Sequence, residues 1–169
     1  HIKYVAFNPT WTVPPTILNE DIAPALAADP AYLEKRGLVA IERSSGREVN
    51  GAEIDWSTTS LSNFRLTQPA GRDNALGSFK FIMDNPYAIF LHDTPRRDLF
   101  AADQRLFSSG CIRVEHPLDL AILLLDPASW TRERIDAVIR AGKTRTIPID
   151  PPLPVAIVYW TASISRAGK

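Results

Sequence analysis

A single cysteine, Cys111, stands in the run Phe107-Ser108-Ser109-Gly110-Cys111-Ile112-Arg113-Val114. Nineteen residues upstream, His92 ends the apolar run Tyr87-Ala88-Ile89-Phe90-Leu91. A thiol attacks only as thiolate, and a nearby imidazole or cationic group is the usual way to lower its pKa. The pair reads as a nucleophile and its base, adjacent in space rather than in sequence. Ser108, Ser109 and Gly110 make a small, flexible approach to the thiol, and a glycine there lets backbone N–H groups turn toward one point, as an oxyanion hole requires. Arg113 could steady this loop or hold a substrate carboxylate through its planar fork. As base, His92 needs an acceptor for its other ring nitrogen, and the backbone carbonyl or the side chain of Asp93 is nearest.

Plainer readings compete with these. A cysteine by itself is usually a small packed hydrophobe. His92 could be a satisfied polar residue at a strand end, and Asp93-Thr94-Pro95 is a good turn in any case. His116, five residues after Cys111, reads as the residue before a helix that starts at Pro117. His1 stands at the chain end. One cysteine and three scattered histidines lack the paired ligand spacing of zinc, so no metal is expected. Trp56, Trp130 and Trp160 read as core or lid residues, whereas Trp11, flanked by prolines, is a candidate groove-lining residue. Arg96, Arg97 and Arg105 read as a solvated rim.

The elements that must hold these residues fit one domain of 169 residues. Lys+Arg 19 against Asp+Glu 19 leaves no net charge, so no broad field for nucleic acid or anionic membrane is implied. One cysteine excludes an internal disulfide. No apolar stretch approaches the ~20 residues that cross a bilayer, and the start at His1 suggests a piece of something longer.

Strands are expected at Ile2 to Phe7, Leu38 to Arg43 and Val155 to Trp160, the last apolar throughout and central. Ser78 to Met83 and Tyr87 to His92, around Asp84-Asn85-Pro86, predict a hairpin. Helices are expected from an Asn19 cap through Ala28, over Pro30 to Arg36 before Gly37, from Pro117 to Leu125, and from Ser129 to Ala141. The proline clusters Pro9 to Pro15 and Pro148 to Pro154 read as rigid extended connections. The result is a mixed α/β, β-rich class without regular βαβ alternation, in which residues of about 19–65 form a helical and hairpin-like insertion.

His92 followed by Ser108-Ser109-Gly110-Cys111-Ile112-Arg113 resembles the signature of the L,D-transpeptidases with a YkuD-type catalytic domain. Asn8-Pro9-Thr10-Trp11, Asn74-Ala75-Leu76-Gly77, Lys80-Phe81, Leu91-His92-Asp93-Thr94-Pro95, Leu99-Phe100 and the stretch Pro154 to Ala162 resemble its larger branch, which carries an inserted capping subdomain. Ser109 stands where many members have a second histidine. The resemblance implies a β-sandwich-like core with short helices and a cap over residues of about 19–65. It implies a cell-envelope, periplasmic enzyme acting on peptidoglycan stem peptides, with no cofactor. Cys111 would attack the third-residue carbonyl of a donor tetrapeptide, expel D-alanine, and pass the acyl group to an acceptor amine as a 3→3 cross-link. His92 would be general base and acid, Asp93 would orient it, Ser109 and Gly110 would shape the oxyanion loop, and Arg113, Trp11 and Ser108 would meet substrate. Carbapenem acylation of Cys111 is expected, and a membrane anchor in the full-length protein fits the same picture. Hydrolysis of the thioester, cleavage of existing cross-links, or a non-catalytic wall-binding role are the competing readings.

Overall fold

In the computed structural model, which describes residues 1–158, nine strands form two sheets with short helices beside them. The class is mixed α/β and β-rich, as the sequence predicts. In the five-stranded sheet β1 (Ile2–Phe7) lies between the central strand β6 (Phe79–Met83) and β9 (Arg145–Leu153). β7 (Leu91–His92) pairs antiparallel with β6, and β8 (Ile112–Arg113) lies parallel to β7. Side chains alternate between sheet faces with period two. Val5, Phe7, Phe79, Phe81 and Met83 therefore point one way, where Ala121, Trp130 and Ile135 of the helical segment close a buried core. The helices on that side are α4 (Pro117–Leu124), with Pro117 in its first turn, and α5 (Arg132–Arg140). Phe7 stacks on Trp130 at 5.4 Å. The other face carries Lys80, His92 and Arg113, which are cross-strand neighbours.

The second sheet, in the order β2 (Trp11–Thr12), β5 (Phe64–Gln68), β3 (Val39–Glu42), β4 (Glu48–Val49), has its own core around Leu26, Leu33, Ala40, Phe64 and Leu66. It draws in Trp11 and Gln68, beyond the 19–65 bounds expected for the insertion. Buried amides lock the junction to β6. Asn74 donates to the Gln68 and Pro69 carbonyls and accepts from Leu76 N, and the Gln68 side chain accepts from Ala75 N.

Several expectations are corrected. Val155–Val158 form no strand and are exposed, while Tyr159 and Trp160 lie outside the described residues. Among the described residues the last strand is instead β9, which overlaps the proline cluster that reads as a connection. It lies at the sheet edge, where residues without an N–H are tolerated. Asn19 is not a cap. The helical stretch begins at α1 (Pro15–Ile17), passes through a π-turn at Leu18–Ile22, and continues as α2 (Ala23–Ala28). Pro15 needs no N–H at a first helical position, and Ala23 N–H bonds the Leu18 carbonyl just before Pro24, whose ring cannot tolerate a regular α turn there. The second strand of the 78–92 hairpin shrinks to two residues. The Asn85 side chain bonds Met83 O, Ile89 O, Tyr87 N and Ile89 N, building a wide loop in which Ala88 takes φ +53°. The last helix is capped by Thr131 rather than started at Ser129.

Candidate active site

His92 ends β7 and is only 5% exposed. Its Nδ1 lies 2.5 Å from the Asp93 carbonyl oxygen, an acceptor only, so Nδ1 carries the hydrogen and Nε2 is left with a free lone pair. Burial foremost pushes the imidazole pKa below its usual value. The Arg113 and Lys80 charges act in the same direction, while the Asp93 carbonyl opposes them. A neutral ring with one committed and one free nitrogen is the form a proton acceptor needs.

Asp93 does more than offer its carbonyl. Its carboxylate is buried, accepts from Ser78 N at 2.9 Å and Thr94 N at 2.7 Å, and pairs with Arg97 Nη2 at 2.7 Å. Arg97 Nη1 also donates to the Glu115 carbonyl beyond β8. Arg97 therefore is not simply a solvated rim residue, as the sequence suggests; it ties the turn after His92 to the end of the neighbouring strand. Arg96, paired with Asp98, does sit on the exposed rim. Arg97→Met is expected to lower stability by about 1–2 kcal/mol, between the limits for exposed and buried pairs, as read from the urea midpoint.

Cys111 is half-buried and directly precedes β8. The backbone bond from Ile112 N to Phe90 O places it opposite Phe90. Arg113 lies opposite His92. The thiol thus belongs to the sheet face of the imidazole, one same-face step (~6.6 Å) along the strand from Arg113. Cys111 lines an open pocket of about 360 Å³ together with Leu99, Phe100, Arg105, Phe107 and Arg113. His92 itself is buried and is not in the pocket wall. Arg105, with Nε bonded to the Ala102 carbonyl, faces the pocket rather than forming a featureless rim.

The loop before the thiol is held by its own residues. Ser108 Oγ donates to the Cys111 carbonyl at 2.5 Å and accepts from Gly110 N at 3.3 Å, so this hydroxyl braces the loop even though Ser108 lines the pocket. Gly110 has φ +131°, a conformation open to glycine and strained for other residues, and Ser109 is exposed. Arg113 Nη2 donates to the Phe107 carbonyl, while its buried Nε and Nη1 have no partner among the described residues. Trp11 packs against the second core and is not in the pocket wall. His116 precedes α4 with its ring exposed and makes no side-chain cap bond. Among the described residues no three His, Cys, Asp or Glu side chains converge as a metal centre would need. The sequence reading missed Arg97 and also Lys80, the cross-strand partner of His92. Lys80-Phe81 stands out only in the family pattern, which gives the lysine no role.

These features define a β-rich α/β domain with a lone thiol and a tautomer-fixed imidazole on the non-core face of its main sheet. The family model of the YkuD L,D-transpeptidase catalytic domain matches residues 1–145, and the chain belongs to that family. Over 168 residues it is 42% identical to a Haemophilus influenzae protein provisionally named an L,D-transpeptidase. That alignment covers 98% of this chain but 34% of the relative, so the chain spans about a third of that protein's length.

Proposed function

We propose that this domain is a cysteine-dependent L,D-transpeptidase acting on peptidoglycan stem peptides in the cell envelope. The observation that carries the reading is the Nδ1-anchored His92, with Nε2 free, on the sheet face of a half-buried, pocket-lining Cys111. The thiol gives its proton to Nε2. The sulfur attacks the third-residue carbonyl of a donor tetrapeptide, and the bond to the terminal D-alanine breaks as His92 returns the proton to the leaving amine. Backbone N–H groups around Ser109 to Cys111 meet the tetrahedral oxyanion. An acceptor amine then attacks the thioester, loses its proton to His92 and releases the thiol, leaving a 3→3 cross-link. Arg113, which lines the same pocket as Cys111, is suited to a substrate carboxylate. The second sheet and its helices serve as the cap beside the substrate groove.

Intact-mass measurement with a tetrapeptide stem and with a carbapenem tests this. The wild type is expected to lose D-alanine from the stem and to gain one covalent adduct, and Cys111→Ala is expected to do neither. Stem turnover that survives in Cys111→Ala, or a wild type inert toward both reagents, would refute the proposal. Product analysis separates transfer to an amine from transfer to water.

A further inference from the structure

Lys80 occupies an unusual seat. It lies mid-strand in β6, half-buried, on the face opposite the main core. Its neighbour across β1 is Ala6, which offers no charge, and its neighbour across β7 is His92. Its Nζ stands 3.8 Å from the centre of the Phe90 ring, and Phe90 is the residue opposite Cys111. Among the described residues the amine has no hydrogen bond and no carboxylate partner. The acids nearby are committed elsewhere: Asp93 to Arg97 and two backbone N–H groups, and Asp98 to Arg96. Further positive charge stands nearby in Arg113 on β8 and Arg105 in the pocket wall.

Taking an ammonium out of water without a counter-ion is unfavourable, and a cation–π contact returns only part of that cost. Burial accordingly pushes the Lys80 pKa below its usual value. The opposing charge that pushes it back up is Cys111. Lys80 touches Phe90, the residue opposite Cys111, so amine and thiol share one region of the sheet face, and the thiol is a group there that can become an anion.

We infer that Lys80 is a positioning residue for the thiol chemistry, its ammonium, seated on the Phe90 ring, holding Cys111 as thiolate. The His92 ring takes the proton, and the Lys80 charge stabilises what remains on sulfur. Its influence on His92 is secondary, ranking below burial, the Asp93 carbonyl and the charges of Arg113 and Asp93. The unpaired lysine thus supplies, with Arg113, the local positive potential that a chain with zero net charge provides nowhere by composition.

This inference rests on the thiol role of Cys111 in the proposed function, yet its test needs no stem peptide. Iodoacetamide alkylation of the intact 169-residue chain, followed by mass against pH, reads thiolate formation directly. Lys80→Met is expected to slow alkylation at pH 7 about 3- to 10-fold, with the difference closing at alkaline pH, where ionisation no longer needs the cation. Lys80→Arg is expected to recover most of the neutral-pH rate. Lys80→Gln, neutral but polar, is expected to match Lys80→Met, which guards against a packing artefact of methionine. Alkylation of Lys80→Met and Lys80→Gln at the wild-type rate at pH 7, or a Lys80→Arg variant as slow as Lys80→Met at unchanged melting temperature, overturns the inference. Stem peptide left unturned by a wild type that alkylates as described would count against the transpeptidase reading alone.

Discussion

If Cys111 is acylated by a tetrapeptide stem as proposed, the rate is expected to fall about 10²- to 10⁴-fold in His92→Gln, the range that loss of a positioned general base produces. Glutamine retains much of the imidazole volume, so the loss reports proton transfer more than packing. The pH profile carries a sharper signature. Burial lowers the His92 pKa, so the ring stays neutral to lower pH than an exposed imidazole, whose pKa is about 6.5. Acceptance of the thiol proton requires the neutral ring. The acid limb of kcat/KM is therefore expected below about pH 6.5, with the rate rising as pH increases through it, and the limb vanishes in His92→Gln. An acid limb that persists in the variant would assign it to another group and remove His92 from the base role.

How much of this was legible in the chain depends on the range over which each feature is decided. β1 at Ile2–Phe7, the proline start of α4 and the Gly37 end of α3 (Tyr32–Lys35) follow from local preference, and each stands where the sequence puts it. The acceptor for the His92 ring also follows from proximity along the chain, since Asp93 is the next residue. β9 is hidden by its prolines, because edge position is a property of the sheet and not of the segment. The two-residue β7 depends on four bonds made by one side chain, Asn85, which no periodicity reveals. Lys80 and Arg97 depend on still longer relations. One is set beside His92 by antiparallel register, and the other reaches back four residues to Asp93 and across the intervening loop to Glu115. Residue types announce a thiol and a base, but the cations set around them become visible only when the chain is folded.

Gly77 tests the shell beneath the site. Its φ is +58°, and a methyl group placed on it would lie 2.5 Å from both Cγ and Oδ2 of Asp93. Gly46 has a comparable φ of +71° in the turn after β3, with nothing within 4 Å of its would-be methyl. Alanine at Gly46 therefore meets only the backbone penalty of the left-handed region, about 1–2 kcal/mol. Alanine at Gly77 meets the same penalty and must also expel the buried carboxylate that accepts from Ser78 N and Thr94 N and pairs with Arg97. Its total cost is expected to reach about 3–4 kcal/mol, because orphaning buried hydrogen-bond partners adds to strain. For a domain of this length that corresponds to a melting temperature lower by about 6–16 °C, against about 2–8 °C for Gly46→Ala. Calorimetry of the two variants isolates the clash, since the glycine conformation is common to both. The displacement also moves the residue whose carbonyl fixes the His92 tautomer, so Gly77→Ala should slow Cys111 acylation while Gly46→Ala leaves it near wild type. Equal melting temperatures would mean that Asp93 yields freely. Full acylation activity in a destabilised Gly77→Ala would mean that the carbonyl of Asp93, and with it the imidazole, is held independently of its side chain.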